Sequence, residues 1–516
     1  MARYKKYDYS QGKFIPICFD KQILPGTFEH TLHYLIDEEI DLSIFDLRYQ
    51  NDDTGAPAYD PAILLKIILY AYSRGITSSR KIAQCCRENI IFMALSADTQ
   101  PHFTTIADFI SSLDQETMQL FLEVLLICDE MDLIGKEMFA IDGCKLPSNA
   151  SKEWSGTKED FQNKKEKMEQ AVRQIVKRHR EIDVTESNKE IVEQEKQYAD
   201  TLRKKVKKIK DWLKDNDDKP GKGGKPIKSN ITDNESAKMK TGHGVIQGYD
   251  GVAVVDNKHQ VIVHAEVFGA AQEHDLLEPM IEGTRENFET IGHKEDIFEK
   301  TKVTADSGFH TENNMKMLMT NGIDAYIADT QFRKRDPRFA DAGKYKERFK
   351  KERDEYYGKK GLYRPKDFVL SDDKSYCICP AGKRMYRCGG TITVKKSLAV
   401  RYQACITGCR ACELKSKCLQ NPDATTARQV YFFQGRSDKV PETFTEKMKR
   451  KIDSLKGRLL YNKRLGTIEP VFGNIRTTLG LDKFTLRGKR KVNIQWLLYG
   501  TVHNLLKVHR YGTGYA

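Results

Sequence analysis

The spacing of apolar residues changes along the chain, and each change predicts a different kind of element. Up to residue 133 the spacing is helical. It predicts one helix capped by Asp60, one that begins after Thr77 or Ser78 and runs through Ile82 to Met93, and one that begins at Thr104. Helix, turn and helix is a common DNA-reading arrangement, and it is also a common way to fill a small all-α domain. We therefore predict an N-terminal helical domain over residues 1–133, a candidate for DNA binding.

Beyond that domain, short apolar runs predict β-strands with helices between them. The runs cover residues 138–141, 252–255, 261–267, 303–305 and 325–328. Helical patterns over residues 276–288 and 312–320 separate the later runs. Strands that alternate with helices in this way indicate a mixed α/β core.

Two insertions interrupt the predicted core. Residues 158–228 are highly charged but repeat apolar side chains at helical spacing, which is typical of two antiparallel helices with a coiled-coil-like seam. The charge of this hairpin favours a solvated surface over a dedicated DNA clamp. Residues 331–442 are basic and rich in cysteine. The core is thereby divided into a first strand within residues 134–157, a main part over residues 229–330 and C-terminal helices over residues 443–516.

The charge balance and the absence of targeting signals limit the classes of function. Lys and Arg outnumber Asp and Glu by 86 to 73, and the net charge of +13 favours nucleic acid, before an anionic membrane, as the partner. The longest apolar run, residues 62–72, is too short to span a bilayer and contains Lys66. Residues 1–13 lack the apolar segment of a secretory signal. We therefore expect a cytoplasmic protein with reduced thiols and no membrane partner.

The cysteines are unevenly distributed. Of the 12 in the chain, seven fall between Cys377 and Cys418, which indicates a metal rather than disulfides in a reducing compartment. Cys409-x-x-Cys412 has the ligand spacing of zinc sites, but there are more thiols than the four that a structural zinc takes. Plain buried thiols are the alternative. Our preferred zinc ligands are Cys379, Cys409, Cys412 and Cys418, which we call the cysteine quartet.

Two aspartates follow apolar runs and are candidates for chemistry. Asp142 comes after residues 138–141 and before Gly143, so we expect a buried strand to deliver it to an edge where the backbone turns. Asp306 follows residues 303–305 in the same way. Ligands of open α/β sheets bind at strand ends, so the two aspartates are candidates for one shared site. Taken singly, an Asp-Gly pair after a strand is more often a plain turn.

A glutamate near the C-terminus lies in a predicted helix. Thr467 is placed to cap this helix, and Pro470 is tolerated only in a first turn, so we expect the helix to begin here. Such a helix shows Glu469 and Arg476 on one face. A glutamate near a helix start ordinarily serves the helix dipole, so Glu469 by itself does not indicate catalysis.

In combination, these segments resemble the transposases of bacterial insertion sequences, whose DDE catalytic domain has an RNase H-like fold. The resemblance rests on AIDG at residues 140–143, TADSGF at residues 304–309 and YNKRLGTIEPVFGNIR at residues 461–476. It extends over nearly the whole chain, since PAYDP at residues 57–61 resembles the helical domain that precedes the catalytic core. The implied fold is α/β: an RNase H-like catalytic core with an N-terminal all-helical domain, an inserted helical hairpin and a cysteine-rich insertion.

The resemblance implies a metal-dependent DNA transposase. The carboxylates that would bind two Mg²⁺ or Mn²⁺ ions are Asp142, Asp306 and Glu469. The residues that would contact DNA are Tyr461, Arg464 and Arg476. A packed helix residue is the ordinary alternative for Tyr461. The implied partner is double-stranded DNA, namely the terminal inverted repeats of the element that encodes the protein, and a homodimer is implied because two ends have to be brought together.

The chain departs from the family pattern in two places, and two other functions stay open. Asp250 and Val252 stand where relatives tend to read Gly-Tyr-Asn-x-Gln, and Arg476 stands where a lysine is common but keeps the charge. One alternative is a catalytically inactive or domesticated transposase-derived DNA-binding protein, which the presence of all three carboxylates disfavours. The other is an RNase H-like nuclease that only cuts. Strand transfer of a pre-cut DNA end distinguishes these functions.

Overall fold

The chain folds into two compact units. The first comprises Met1–Ala328 and Lys451–Ala516, and the second comprises Asp329–Arg450. The structure, a computed structural model, describes residues 10, 16–49, 57–181, 189–221, 224, 226–242, 244–339, 361–394, 397–423, 426–436 and 441–513. No boundary between the units falls at residue 133. The second unit encloses the predicted insertion, of whose basic stretch residues 340–360 lie outside the described residues.

The N-terminal part of the first unit is helical. Its helices are α1 (Phe28–Tyr34), α2 (Pro61–Ser73), α3 (Ser79–Glu88), α4 (Ile90–Leu95), α5 (Phe103–Ser112) and α6 (Gln115–Glu130). The predicted cap of α2 is present, because the Asp60 side chain accepts a hydrogen bond from the backbone N–H of Ala62. The helix predicted to begin after Thr77 or Ser78 does begin there, with Ser78 as the N-cap of α3, but it does not run on to Met93 as a single helix. It is divided at Asn89, whose side chain accepts a hydrogen bond from the N–H of Ile91 and caps a new helix.

A mixed sheet forms the centre of the first unit. Its strands are β1 (Met138–Pro147), β4 (Ala237–Thr241), β5 (Gly244–Asp256), β6 (Ile262–Phe268), β7 (Lys302–Ala305) and β8 (Ala325–Ile327), and β2 (Ser155–Gly156) and β3 (Ser229–Asn230) form a separate short pair. β1 pairs antiparallel with β5 and parallel with β7, which pairs parallel with β8. β4 and β6 both pair antiparallel with β5. β1 is therefore an interior strand, in keeping with its continuous apolar run.

The remaining helices of the first unit lie between and after these strands. They are α7 (Lys158–Glu181) and α8 (Lys189–Asp215) in the charged segment, then α9 (Leu277–Thr290), α10 (Glu312–Thr320), α14 (Leu455–Gly473) and α15 (Lys489–Tyr511). α7 and α8 contact each other, and Phe161, Ile209 and Trp212 form a small buried core at one end of the pair. This core is separate from the sheet's own, so the helix pair has apolar packing of its own.

The last helix joins the N-terminal helices to the sheet. α15 packs against β6 and against α6 and α2. The Asn504 side chain accepts a hydrogen bond from the N–H of Ile262 and donates one to its carbonyl, each at 2.8 Å. Tyr499 stacks on Tyr72 with ring centroids 4.7 Å apart. Residues at opposite ends of the chain therefore share one apolar core, which is why no unit boundary follows α6.

α14 begins earlier than the sequence predicts. Its N-cap is Ser454, whose side chain accepts from the N–H of Gly457, so Thr467 is not a cap and Pro470 lies inside the helix. A proline there has no N–H for the carbonyl four residues before it, which belongs to Gly466. Gln260 fills the vacancy, because its Nε2 donates to the Gly466 oxygen at 3.0 Å. A residue from the β5–β6 turn thus makes an interior proline tolerable.

The second unit is built on another antiparallel sheet. Its strands are β9 (Val369–Leu370), β10 (Tyr376–Ile378), β11 (Arg384–Arg387), β12 (Ile392–Val394), β13 (Ser397–Ala404) and β14 (Gln429–Arg436). Its short helices are α11 (Ile406–Arg410) and α12 (Lys415–Cys418), and α13 (Phe444–Asp453) begins at its end. Phe368, Met385 and Tyr402 lie in its buried core together with Cys377. Cys377 is therefore a small core residue.

Candidate active site

Two parallel strands bring Asp142 and Asp306 to the same edge of the sheet. Ile141 of β1 is in register with Ala305, the last residue of β7, so the aspartates that follow them are neighbours. Asp306 then leaves the sheet and precedes a 3-10 turn over Ser307–Phe309. This is the expected consequence of two parallel strands that end in an aspartate.

The backbone does not turn at Gly143, contrary to the sequence-based expectation. β1 continues through Asp142 and Gly143 to Pro147 and stays paired with β5. Only the parallel pairing with β7 stops at Ile141. The glycine has a different use, since a Cβ at this position would lie 2.6 Å from Oδ1 of Asp250. Gly143 thus leaves room for a carboxylate on the neighbouring strand.

A buried arginine joins the two aspartates. Nη1 of Arg464, on α14, lies 2.6 Å from Oδ2 of Asp142, and Nη2 lies 3.4 Å from Oδ1 of Asp306. The Arg464 side chain is only 6% exposed, whereas Asp142 and Asp306 are 19% and 39% exposed. A single planar guanidinium can bridge two carboxylates because it carries donors on separate nitrogens. The pair of aspartates therefore surrounds one positive charge.

The environment of Asp142 opposes its ionisation. Burial raises the pKa of Asp142 from its ordinary 3.8 to about 6, with the charge of Asp306 acting in the same direction. The Arg464 guanidinium and the hydrogen bond from the N–H of Gly143 lower that pKa but do not cancel the burial. A carboxylate that is costly to ionise gains from any further cation placed beside it.

The other three predicted residues lie at different positions around α14 and beyond it. Tyr461 is half-buried with its ring 5.6 Å from the Arg464 guanidinium carbon. Glu469 follows Arg464 by five residues, about 140° around the helix, and it is exposed. Among the described residues, no hydrogen bond or ion pair joins Glu469 to either aspartate. The structure thus brings together Asp142, Asp306, Arg464 and Tyr461, and it leaves Glu469 outside this group.

Arg476 lies in the π-helical turn that follows α14, and its side chain is exposed. Burial raises the pKa of the Cys144 thiol to about 12, and the positive charge of Arg476 opposes that rise. Arg476 is therefore an exposed cation whose charge acts on Cys144 of β1.

Two further carboxylates lie beside the aspartates, and no pattern in the sequence indicates a role for them. Asp250 on β5 is in register with Lys145 on β1 and is fully buried. Burial, and next the charge of Glu273, raise the pKa of Asp250 to about 7. Nζ of Lys145 lies 2.5 Å from Oε1 of Glu273, whose side chain is 11% exposed. The only signal in the sequence was the unusual aspartate at position 250.

The segment around Glu273 is tied to the turn that follows Asp306. A Cβ at Gly308 would lie 2.2 Å from Oε2 of Glu273. Nδ1 of His274 is 2.8 Å from the Gly308 carbonyl, and Asn314 donates to the carbonyls of both His274 and Phe309. Each aspartate is therefore followed by a glycine at which another carboxylate closely approaches the backbone.

In the second unit, the cysteine quartet lines one mainly apolar cavity, together with Cys405. Burial raises the pKa of the Cys418 thiol, and Cys409, Cys379 and Cys412 raise it further, which requires the four to be close together. Cys388 does not line this cavity; its Sγ is 3.8 Å from Oε1 of Gln403. All 12 cysteines are free thiols. The four thiols thus lie in one region of the second unit, and Cys405 lies there with them.

No metal-binding geometry is fully formed in the part of the chain that the structure describes. There, no group of three or more His, Cys, Asp or Glu side chains is arranged to hold a metal ion. At the aspartate pair the reason is physical, because the Arg464 guanidinium lies between the carboxylates where a cation would bind. Within the same described residues, no helix is long and apolar enough to cross a membrane.

Comparison with known proteins assigns two segments of the chain. The family model described as "Transposase DDE domain" matches residues 378–509, and the model described as "Transposase domain (DUF772)" matches residues 17–112. No curated protein matches the chain. The first match includes α14 and α15 and the cysteine quartet; the second includes α1 to α5. Asp142 and Asp306 lie outside both matched segments.

Proposed function

Since the chain belongs to the DDE-class transposases of the insertion-sequence type, which act on DNA, we propose that it cleaves DNA at the ends of its own element and joins those ends to a target. The observation that carries this proposal is the cation-binding pair of Asp142 and Asp306 at one sheet edge. The strand order supports an RNase H-like core: β6, β5 and β1 are antiparallel neighbours, and β7 and β8 run parallel to β1.

The residues that would hold two Mg²⁺ or Mn²⁺ ions are Asp142, Asp306 and Glu469. The donor chemistry fits, since hard divalent cations prefer carboxylate oxygens and the two aspartates already surround one positive charge. When bound, such ions activate the attacking water or 3′ hydroxyl and stabilise the leaving oxygen. We include Glu469 because it lies on α14, within the segment that the DDE model matches.

The basic residues of the site would have separate roles. Arg464 holds the two aspartates in position through its bidentate contact, and it is free to bind a DNA phosphate once a metal ion neutralises them. Arg476 is exposed and would contact the DNA backbone directly. Tyr461 would donate a hydrogen bond to DNA from its position next to Arg464.

The wider assembly follows from the same proposal. Two terminal inverted repeats have to meet, so a homodimer on double-stranded DNA is expected, with the N-terminal helices as candidates for end recognition. The free thiols fit a reducing compartment, the cytoplasm. A structural zinc ion held by the cysteine quartet would order the second unit, because the four thiols line one cavity.

Isosteric variants test the proposal. Asp142→Asn, Asp306→Asn and Glu469→Gln each remove a charge that holds metal while they keep the side-chain size, so cleavage of element-end DNA with Mg²⁺ should fall by more than about a hundredfold. DNA affinity should be unchanged or rise, because negative charge is lost. Glu278→Gln, at an exposed glutamate in the first turn of α9, is the matched control and should cut normally.

The same assay separates the alternatives. Given a pre-cut end, a transposase joins it to target DNA, whereas a nuclease that only cuts leaves it unjoined. If the wild-type chain binds element ends but neither cuts nor joins them, the inactive DNA-binding protein is the correct description. Near wild-type cleavage by any one of the three variants removes that residue from the site.

A further inference from the structure

Asp250 is a buried carboxylate without a hydrogen-bond donor. It is 0% exposed, and within the described part of the chain no N–H or hydroxyl group donates to either of its oxygens, whose close polar neighbour is the Glu273 carboxylate. An unpaired buried carboxylate is costly, so proteins ordinarily pair it or use it to bind a cation. Asp256, six residues later on the same strand and equally buried, shows the ordinary solution. It accepts hydrogen bonds from the backbone N–H groups of Gly135, Lys136 and Lys258.

Glu273 completes a second carboxylate pair. Among acidic groups, its charge has the largest effect on the pKa of Asp250, and its Oε2 faces the backbone at Gly308. The ammonium of Lys145 is the basic group here, since it contacts Oε1 of Glu273 and favours the ionised form of Asp250. The arrangement repeats that of Asp142 and Asp306, where one basic side chain serves two carboxylates.

We propose that Asp250 and Glu273 bind a divalent metal ion of their own beside the catalytic pair, and that the Lys145 ammonium takes the place of this ion in the metal-free protein. Two carboxylates with the remaining positions filled by water or phosphate are sufficient for Mg²⁺ or Mn²⁺. The backbone is shaped for these carboxylates, because Gly143 and Gly308 carry no Cβ that would obstruct them. This site goes beyond the proposed function, which requires only the three catalytic carboxylates.

The position of the ion gives it a structural role in the site. Asp250 approaches the residue after Asp142, and Glu273 approaches the turn that follows Asp306. An ion held by both carboxylates therefore connects the backbone segments that carry the two catalytic aspartates. Metal bound there would keep those segments at a constant separation.

Mn²⁺ binding to the full-length, DNA-free protein tests this inference, with free Mn²⁺ followed by electron paramagnetic resonance. Asp250→Asn and Glu273→Gln should each remove one bound Mn²⁺ ion or lower the affinity for that ion by at least about tenfold. Lys145→Met should strengthen that ion's binding, because the competing ammonium is gone. Asp256→Asn is the matched control, because its carboxylate already has three backbone donors, and it should leave the number of bound ions unchanged.

Each outcome decides the question. The inference would be wrong if Asp250→Asn and Glu273→Gln bind the same number of Mn²⁺ ions as wild type, with the same affinity. The two carboxylates would then only share a proton or pair with Lys145. A Lys145→Met variant that binds no more tightly would also overturn it. Glu273 is partly exposed, so its variant stays informative if Asp250→Asn fails to fold. Failure of the proposed function is seen separately, as unimpaired cleavage by Asp142→Asn.

Discussion

Replacing Asp142 by Asn should stabilise the metal-free protein at neutral and alkaline pH. Because burial raises the folded-state pKa of Asp142 from 3.8 to about 6, the folded chain binds this proton more tightly than the unfolded chain does. The stability that Asp142 contributes is thus fully present below pH 3.8 and is lost as the pH rises through about 6. Asparagine has no proton to lose and keeps the side-chain size, so it avoids this loss.

The size of the effect follows from the two pKa values. A difference of about two pKa units corresponds to about 3 kcal/mol at pH 8 and to roughly half of that at pH 5. Asp142→Asn should therefore gain stability relative to wild type between these two pH values. Mg²⁺ should act in the opposite direction, because it binds the ionised Asp142 carboxylate and therefore stabilises the wild-type protein more than the variant.

Urea unfolding in EDTA at pH 5 and pH 8 measures this difference. All three tryptophans of the chain lie in the first unit, so tryptophan fluorescence follows the unit that contains Asp142. Asp306→Asn is the matched control. It should gain less stability than Asp142→Asn, since the Asp306 side chain is 39% exposed and the Asp142 side chain only 19%. If the free energies of unfolding of Asp142→Asn and wild type differ by the same amount at both pH values, the reasoning is refuted.

Three further changes test other parts of the structure. Gly143→Ala should destabilise the protein by about 1–3 kcal/mol, because the new Cβ would lie 2.6 Å from an Asp250 oxygen, and adding Asp250→Ala should restore the thermal midpoint. Pro470→Ala should raise the free energy of unfolding, measured in urea, by at least about 1 kcal/mol, since it returns a helix hydrogen bond; a lower free energy of unfolding would contradict this. Elemental analysis should find one zinc ion per chain. The ion should be lost in Cys412→Ser and kept in the control Cys388→Ser. A wild-type protein without zinc would exclude the zinc site.

Local patterns were sufficient for much of the secondary structure and for the two aspartates. Apolar runs of strand length predicted β7 and β8 closely, and a capping aspartate predicted the start of α2. Asp142 and Asp306 could be paired in advance because parallel strands of one sheet end at one edge. These features depend on neighbouring residues, so a single sequence contains the information.

The remaining features depend on residues far apart in the chain. Arg464 reaches Asp142 from 322 residues away, and the sequence indicated only a phosphate contact for it. The start of α14 was misjudged because Pro470 is tolerated only when Gln260 supplies the missing donor. Gly143 was interpreted as a turn because the approach of Asp250 is visible only across two paired strands.

The sequence by itself therefore indicated several strands of the first unit and the aspartates that end or interrupt them, since capping and apolar spacing are local properties of the chain. Its resemblance to a known family indicated the class of protein, but no pattern predicted the strands β9 to β14 of the second unit. Only the tertiary structure decided which charges meet. It placed one arginine between two aspartates, a lysine beside two more carboxylates, and Glu469 on the exposed side of its helix. Burial and the distance between charges set their energies, and both arise only when distant segments pack together.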